Sequence, residues 1–522
     1  MPQWLNDAVF YEIYPQSFFD TNSDGIGDIN GITEKLDYIK GLGCNAIWLN
    51  PCFDSPFKDA GYDVRDYKKV APRYGTNDDL VRCFAEAHKR GMHILLDLVP
   101  CHTSEEHPWF LESCRDERNE YSDRYIWTSH CFERADNLPC VGGEAERSGT
   151  YVLSFFKCQP SLNYGFYRVE KPWQLPMDHP ACLATREAMK DVMRFWLDLG
   201  CDGFRVDMAG CLVKNDDEQL GTSAVWRDVR AMLDAEYPEA ALLSEWGDPK
   251  RALKAGFHMD FCLHNGVRAY HTLMRAYDGT DYGEVRGEDK SYFKRDSGAS
   301  ILPFVNQYIE DYTATKNDGL FCFLTCNHDT MRPRANLSPE ELKLAYAFLF
   351  TLPGAPFLYY GDEIGMRYVK LPTKEGGYFR TGSRTPMQWD SGANLGFSTA
   401  DEDSLYLPVD PAPDAPTVAA EETDPDSLLH TVRALLALRH AEPELQADAP
   451  FAIHFAEDDS RLFVFRRGSL YVAVNPGPEP CAFDAPDAKE VLFTIGSCSG
   501  APEAGRVTLG AQSFAVLRSG VQ

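Results

Sequence analysis

The first 360 residues of the chain repeat one hydrophobic pattern. An amphipathic segment with apolar residues at helical spacing ends at a glycine, and a short apolar segment follows it. The spacing predicts a helix and the glycine predicts its C-terminal cap, while the continuous apolar run predicts a buried strand of a parallel sheet. Clear examples are residues 32–51, 80–99 and 188–208.

Eight apolar segments in this part of the chain are predicted to be strands. Eight parallel strands that alternate with helices are typical of the closed (β/α)8 barrel, the TIM barrel, so the predicted fold class is α/β. The segments are VFYEIYP (9–15), CNAIWLNP (44–51), MHILLDLV (92–99), CDGFRVDM (201–208), ALLSEW (241–246), MDFCLH (259–264), LFCFLTC (320–326) and APFLYYGDE (355–363).

The repeated pattern is interrupted once and then stops. Scattered Gly, Pro and aromatic residues after the third strand predict an inserted subdomain. Short alternating segments near the C-terminus, such as RLFVFRR and LYVAVN, predict a β-sandwich. The predicted domains are the barrel in two parts (1–102 and 176–442), the inserted domain (103–175) and the C-terminal domain (443–522).

The net charge and the cysteines limit the ligands and the cellular compartment expected for the protein. The net charge of −28, from 51 basic and 79 acidic residues, argues against binding to nucleic acid or an anionic membrane. No signal peptide or membrane-spanning segment is recognisable, so a cytoplasmic protein is expected. The 16 cysteines contain no CxxC pair and many lie in apolar segments, which favours reduced thiols over disulfides. The oligomeric state cannot be read from the sequence.

The segment DTNSDGIGD (20–28) has the opening of an EF-hand loop. The EF-hand interpretation fails at its twelfth position, because Gly31 stands where a bidentate Glu is needed, and a predicted strand precedes the loop. Its oxygen donors still suit a hard cation such as calcium or magnesium. The alternative is an acidic turn without a metal. The candidate ligands are Asp20, Asn22, Asp24, the Ile26 carbonyl and Asp28.

Polar residues follow the predicted barrel strands, where the catalytic groups of such barrels lie. An isolated residue of this kind is more often a helix cap or a structural histidine, and a metal site with two histidines and a carboxylate is conceivable. Several acids together favour glycoside hydrolysis, which uses paired carboxylates. Arg205 would keep Asp207 ionised, and Trp246 would raise the pKa of Glu245. The six residues are His102, Arg205, Asp207, Glu245, His328 and Asp329.

With these residues in order, the chain resembles the α-amylase family, glycoside hydrolase family 13. The four matching segments are DLVPCH (97–102), GFRVDMA (203–209), LSEW (243–246) and FLTCNHD (323–329). The resemblance implies that Asp207 is the nucleophile, Glu245 the general acid/base and Asp329 the third acid. It also implies substrate-binding roles for Tyr62, Asp63, His102, Arg205 and His328.

Finer matches resemble one subgroup of that family. QPSLN (159–163) is similar to a segment of oligo-1,6-glucosidases, and SRTPMQWD (383–390) to one of α-glucosidases and trehalose synthases. The second match implies that Arg384 helps to close the pocket. The loop 20–28 matches the metal loop of these enzymes, which implies a structural metal, with calcium favoured over magnesium.

Two departures from the family pattern leave the specificity open. Cys101 replaces an Asn that ligates a second calcium in true α-amylases, and Met208 fits neither the α-1,4 nor the α-1,6 pattern. The leading hypothesis is a retaining exo-α-glucosidase acting on short malto- or isomalto-oligosaccharides. A trehalose synthase, a glucosyltransferase or a sucrose-type hydrolase is the alternative. A non-catalytic relative is a remote one, since it would lack the three acids.

Overall fold

The computed structural model describes residues 1–262, 268–277, 287–376, 380–499 and 505–520. The strands of this part are β1 (Phe10–Ile13), β2 (Ala46–Leu49), β3 (Phe53–Asp54), β4 (Asp66–Val70), β5 (His93–Leu98), β6 (Cys140–Gly142), β7 (Thr150–Val152), β8 (Gly203–Val206), β9 (Ala241–Ser244), β10 (Met259–Phe261), β11 (Leu320–Leu324), β12 (Pro356–Tyr359), β13 (Phe451–Ala456), β14 (Phe463–Arg467), β15 (Leu470–Asn475), β16 (Cys481–Asp484), β17 (Ala488–Ile495), β18 (Cys498–Ser499), β19 (Arg506–Leu509) and β20 (Ser513–Ser519).

Several helices begin at a residue whose side chain caps them. In α3, Thr76 and Asp79 form a capping box, and in α10 Ser338 and Glu341 form another. The helices are α1 (Ile29–Glu34), α2 (Leu36–Leu42), α3 (Asn77–Lys89), α4 (Pro108–Ser113), α5 (Pro180–Asp198), α6 (Leu220–Glu236), α7 (Pro249–Ala252), α8 (His271–Met274), α9 (Leu302–Thr315), α10 (Pro339–Thr351), α11 (Val418–Thr423) and α12 (Leu428–Ala441).

Eight parallel strands close into a barrel, which confirms the predicted fold. Their order around the barrel is β1-β12-β11-β10-β9-β8-β5-β2. All eight predicted segments contribute a strand, although the last two residues of MDFCLH lie outside the described part of the chain. The first strand is shorter than predicted, because Pro15–Ser17 form a helical turn. The first predicted helix is divided into α1 and α2 at Lys35.

The inside of the barrel is a packed apolar core. Inward side chains from several strands form one cluster, in which Phe10 and Phe357 stack at 4.2 Å and Trp48 meets Phe261 at 5.3 Å. Such layers of large side chains fill the interior of TIM barrels, so chemistry is possible only at the ends.

Gly203 lets strands β8 and β9 approach each other. It is paired with Ala241, its φ is +141°, and a Cβ atom there would lie 2.0 Å from the Ala241 carbonyl oxygen. A side chain at this position would push apart the two strands that precede Asp207 and Glu245.

Two additions flank the barrel. The segment 103–175 contains α4, β6 and β7, and residues Ile126, Ala135, Val152 and Phe166 form a small core of their own. The C-terminal part has a five-stranded antiparallel sheet, β13-β14-β15-β20-β17, and a three-stranded one, β16-β19-β18. Buried side chains of both sheets share one apolar cluster, as predicted for a β-sandwich.

No disulfide joins cysteines in the described part of the chain. All 16 lie in the described part of the chain and all are free thiols. In that same part, none of the helices has the length and apolar character needed to span a bilayer.

Replacing Gly203 with Ala is expected to lower the free energy of unfolding by at least about 3 kcal/mol, since the added methyl group meets backbone atoms at a left-handed φ. Urea unfolding measures this. Gly41→Ala is the matched control: Gly41 lies in α2, and a methyl group added there would meet no atom within 4 Å, so the same substitution should stabilise by about 0.5–1 kcal/mol. Equal stability of the two variants would contradict the close approach of β8 and β9.

Candidate active site

A cavity of about 300 Å³ opens at the carboxyl ends of the barrel strands. Five of the predicted site residues line it, namely Tyr62, His102, Asp207, Glu245 and Asp329. The remaining lining residues are Asp59, Phe155, Gln159, Met208, Cys211, Trp246 and Arg380.

The guanidinium group of Arg205 binds carboxylates on or directly after the neighbouring strands β5, β8 and β9. Arg205 Nη1 donates to Asp207 Oδ1 at 3.1 Å and to Asp97 Oδ1 at 3.0 Å, while Nη2 lies 2.9 Å from Glu245 Oε2. Arg205 is buried beneath the cavity wall rather than in its lining. It therefore fixes the two cavity-lining acids relative to each other.

The environment of Asp207 disfavours its ionised form. Burial, and then the neighbouring Glu245 carboxylate, raise the pKa of Asp207 well above its ordinary value, and the opposing effect of Arg205 is smaller. The prediction that Arg205 would keep Asp207 ionised is therefore corrected. The Asp207 and Glu245 carboxylates thus lie close together on one guanidinium group.

Asp329 has the opposite environment. Its carboxylate accepts hydrogen bonds from Arg380 Nη1 at 2.8 Å and Arg384 Nη2 at 2.9 Å, and its Oδ2 lies 3.1 Å from His328 Nε2. Burial acts to raise the pKa of Asp329, but these three cationic groups outweigh it and lower that pKa well below the ordinary range. Arg384 and His328 lie behind Asp329, outside the lining.

Tyr62 and His102 form the wall between these groups. The Tyr62 hydroxyl lies 2.7 Å from His328 Nε2 and 3.1 Å from Asp97 Oδ2. His102 Nε2 lies 3.1 Å from the Tyr62 carbonyl oxygen, and burial lowers the pKa of His102 to about 4, so its ring is neutral at neutral pH. Its Nδ1 has no hydrogen-bond partner among the described residues.

The structure separates Asp63 from the cavity. Its carboxylate accepts hydrogen bonds from Ser55 Oγ at 3.0 Å and from the backbone N–H groups of Lys58 and Asp59 at 2.9 Å. It thus ties together the loop between β3 and β4 and does not line the cavity, so its contact with a sugar stays a prediction. Asp59 lines the cavity instead and pairs with Arg380.

Three polar residues that line the cavity, Asp59, Gln159 and Arg380, were not predicted from the sequence. Gln159, which donates to Asp59 Oδ2 at 2.7 Å, stands in the recognised segment QPSLN, so a signal was present. Arg380 lies four residues before Arg384 and outside the matched segment SRTPMQWD, so no signal in the sequence pointed to it. Asp59 is one of several acidic residues in its loop, and nothing in the sequence distinguished it from the others.

Asp260 supports the strand end that carries Glu245. Its carboxylate accepts hydrogen bonds from Ser244 Oγ at 2.6 Å and from Trp246 N at 3.1 Å, on either side of Glu245. Burial raises the pKa of Asp260 to about 7. A charge that is costly to bury therefore stabilises the local backbone.

Three side chains in the acidic loop 20–28 form a regular series of turns. Each has an oxygen that accepts a hydrogen bond from the N–H group two residues further on, which is the Asx-turn arrangement. These bonds join Asn22 N to Asp20 Oδ1 (3.0 Å), Asp24 N to Asn22 Oδ1 (3.0 Å) and Ile26 N to Asp24 Oδ1 (2.9 Å).

The loop fits a hard cation in its donor chemistry, with carboxylate, amide and backbone oxygens close in sequence. Asp28 differs from the others, because its carboxylate caps α1 by accepting from Gly31 N at 2.7 Å and also accepts from Thr21 N at 2.8 Å. Over the described ranges, no group of three or more His, Cys, Asp or Glu residues is clustered so as to hold a metal. A cation here would need the Asn22 amide and a backbone carbonyl as well.

Comparison with known proteins agrees with this architecture. Residues 12–448 match the family model of the alpha-amylase catalytic domain, and residues 447–516 match a domain of unknown function, DUF3459. The chain is 35% identical to trehalose synthase/amylase TreS of Mycobacterium tuberculosis, over 86% of this chain and 77% of that protein. It is 31% identical to oligo-1,6-glucosidase of Heyndrickxia coagulans, over 93% and 94% of the two chains.

A solved structure shares the whole fold. The trehalulose synthase MutB of Pseudomonas mesoacidophila MX-45 superposes with a TM-score of 0.82 at 26% sequence identity, covering 100% of both chains.

Replacing Asp260 with Asn is expected to change how stability depends on pH. Because the folded state keeps the Asp260 proton up to about pH 7, the wild-type free energy of unfolding should fall as pH rises from about 4 through 7. The Asn variant lacks this loss, so between pH 5 and 8 it should gain about 2 kcal/mol relative to wild type in urea unfolding. The exposed Asp458→Asn is the control and should show no such gain. Parallel pH curves for wild type and Asp260→Asn would contradict the buried charge.

Proposed function

The chain belongs to the α-amylase family and is an enzyme of the glycoside hydrolase and transferase type; from this we propose that it is a retaining exo-α-glucosidase. Its substrates are short α-glucosides, malto- or isomalto-oligosaccharides, from whose non-reducing ends it releases glucose. The observation that carries the proposal is the joint position of Asp207, Glu245 and Asp329 in one cavity of about 300 Å³. A cavity of this size suits a terminal sugar better than the middle of a polymer.

The side of the cavity that is lined by Asp59, Gln159 and Arg380 supports exo action. Asp59 and Arg380 form an ion pair in the lining, Arg380 also donates to Asp329, and Gln159 donates to Asp59. These charge-assisted hydrogen bonds offer a rigid set of donors and acceptors to the hydroxyls of one glucosyl unit. In this proposal Tyr62 stacks on that unit and His102 contacts its hydroxyls.

The carboxyl groups of Asp207 and Glu245, which both contact Arg205, carry out the reaction. Asp207, as the anion, attacks the anomeric carbon while Glu245 donates its proton to the leaving oxygen, which breaks the glycosidic bond and forms a covalent glucosyl–enzyme. The deprotonated Glu245 then takes a proton from water, the water oxygen attacks the anomeric carbon, and Asp207 is released. The position of both carboxylates on one guanidinium group suits this cycle, in which one acts as the nucleophile and the other as the acid and base.

Asp329 has a different role in the proposal. The cations around it keep it ionised, so it does not exchange protons during the cycle. Its fixed negative charge stabilises the positive charge that develops on the sugar ring in the transition state. Arg384 and His328 hold its carboxylate in place.

A transglycosylase or isomerase is the second candidate. The 35% identity to a trehalose synthase/amylase supports it, as does the structural likeness to a trehalulose synthase. Both reactions would use the same three acids and differ in whether water or a sugar hydroxyl meets the covalent intermediate. A hydrolase acting on sucrose-type α-glucosides is a variant of the same proposal.

A cytoplasmic location is part of the proposal. It is supported by the 16 free cysteines, since thiols in this number persist in a reducing compartment.

The products of maltose distinguish these activities. With wild-type protein, a proton NMR time course should show early excess of the α-anomer of glucose, because two inversions retain the configuration. Growth of a trehalose or isomaltose signal instead would assign the protein to the transferases. If maltose, isomaltose and sucrose all remained intact, the proposed function would fail.

The control for this time course is Asp207→Asn, which keeps the shape of the side chain. Turnover should fall by at least about 10⁴-fold, because an amide cannot form the covalent intermediate, while the circular dichroism spectrum stays unchanged. Residual turnover above a tenth of wild type would remove Asp207 from the reaction.

We also propose that the loop 20–28 binds a structural calcium ion, with magnesium as the weaker alternative. The proposed ligands are Asp20, Asn22, Asp24, the Ile26 carbonyl and Asp28, and the Asx turns of the first three support the proposal. Ser398 Oγ donates to Asp20 Oδ2 at 2.6 Å, so the ion would pin this loop against the segment after residue 390.

Calcium should raise the melting temperature of chelator-treated protein by about 2 °C or more once it is well above its dissociation constant, because it binds the folded state. Differential scanning fluorimetry with calcium and, separately, magnesium measures this. Asp24→Ala should abolish the rise, whereas the exposed Asp458→Asn should preserve it. The absence of any shift at millimolar calcium would leave the turn without a metal as the correct interpretation.

A further inference from the structure

Glu12 lies under the cavity with its carboxyl group wholly inside the protein, where burial raises its pKa and the contacts with His328 and Asn50 oppose that rise. It belongs to β1, its exposed fraction is 0%, and it does not line the cavity. Its Oε1 accepts hydrogen bonds from Asn50 Nδ2 at 3.2 Å and lies 2.9 Å from His328 Nδ1. An inward-facing carboxylate on a barrel strand is costly and needs a compensating partner.

His328 lies between two carboxylates. Its Nδ1 faces Glu12 Oε1 at 2.9 Å and its Nε2 faces Asp329 Oδ2 at 3.1 Å. Both oxygens are acceptors, so the ring donates to both only as imidazolium, with a proton on each nitrogen. Asn50 Nδ2 also lies 3.2 Å from Nδ1, but it can donate to Glu12 Oε1 while Nδ1 keeps its proton. The hydroxyl of Tyr62 agrees with this state, because it can accept from Nε2 while donating its own proton to Asp97 Oδ2.

We propose that Glu12 is a positioning residue that keeps His328 doubly protonated, so that the ring holds Asp329 in place as an anion. The proposal rests on the proposed function, in which Asp329 acts as a fixed negative charge. Glu12 itself contacts neither the cavity nor a substrate and acts through the imidazolium ring.

The surrounding charges are compatible with a cationic ring. Burial lowers the pKa of His328, but Asp329 and Glu12 outweigh burial and raise it. Arg384 donates to the His328 carbonyl oxygen at 2.9 Å, on the backbone side of the residue. The other titratable groups that face Glu12 or His328 are Asp97, Arg205, Tyr14, Tyr62 and Tyr359.

The competing explanation is a structural one, in which any hydrogen-bond acceptor at position 12 would serve. Glu12→Gln separates the two. The amide oxygen can still accept from His328 Nδ1, but the negative charge is gone, and Glu12 Oε2 has no hydrogen-bond partner among the described residues that the new NH₂ group would displace. Packing is conserved while the charge is removed.

Glu363→Gln is the matched control. Glu363 is also wholly buried near the barrel ends, but it accepts hydrogen bonds from Tyr11 Oη at 2.7 Å and Tyr38 Oη at 2.8 Å. The same loss of a buried charge therefore occurs without an imidazole partner.

The first readout is the protonation of His328, followed by NMR of histidine-labelled protein and assigned by its loss in His328→Gln. In wild type both ring nitrogens should remain protonated at pH 7.5. In Glu12→Gln the pKa of His328 should fall by at least about one pH unit, the size expected for loss of a neighbouring opposite charge. In Glu363→Gln it should stay at the wild-type value.

The second readout is the pH profile of kcat/KM on the substrate that wild type cleaves. In Glu12→Gln the alkaline limb should move to lower pH by the same amount, and at pH 8 kcat should fall more than KM rises. Glu363→Gln should keep the wild-type profile. A purely structural role of Glu12 would lower activity equally at all pH values.

The outcomes are separable. A neutral His328 in wild type at pH 7.5, or a Glu12→Gln variant with unchanged titration and pH profile, overturns the proposal. If Glu12→Gln fails to fold, the wild-type titration can still overturn the proposal, because a neutral His328 at pH 7.5 is incompatible with it. If wild type cleaves no α-glucoside, the proposed function fails, while the histidine titration still tests the effect of Glu12.

Discussion

The active end of this barrel depends on one buried guanidinium. Arg205 binds Asp97, Asp207 and Glu245, which come from three neighbouring strands. Three carboxylates placed so close together in a dry site would repel one another and lose their hydration, and each effect costs several kcal/mol without a counter-charge. The parallel register pairs Asp97 with Arg205 directly across β5 and β8, so the barrel itself brings the counter-charge to the acids. Gly203, at the start of β8, permits the close approach of β8 to β9, the strand that precedes Glu245.

A second set of cations makes the acids of the cavity unequal. Asp329 is surrounded by Arg380, Arg384 and His328, whereas Asp207 shares its one cation with other carboxylates. The pKa of Asp329 is accordingly lowered and that of Asp207 raised, although both are the same side chain in the same cavity. The protein assigns different chemistry to like residues through the number of cations that each one meets.

Loops that leave the barrel complete the site, and their internal hydrogen bonds decide which residues reach it. Asp63 and Asp59 lie four residues apart in one loop, yet the backbone N–H groups bind the first and leave the second to pair with Arg380. Gln159 belongs to the inserted segment and donates a hydrogen bond to the Asp59 carboxylate oxygen that Arg380 does not bind. The closed wall of the cavity is therefore built from three separate parts of the chain.

The sequence by itself determined the barrel, the inserted segment, the C-terminal sheets and the acids that follow the strands. It did so because hydrophobic periodicity and strand-end position are local properties, and Asp207 and Glu245 directly follow β8 and β9. Only the tertiary structure decided that Asp59 rather than Asp63 faces the cavity, that Arg380 joins Arg384 at Asp329, and that burial outweighs Arg205 in setting the pKa of Asp207. Each of these depends on contacts between residues far apart in the chain, and neither a burial cost nor a sum of charges can be read from neighbours in sequence.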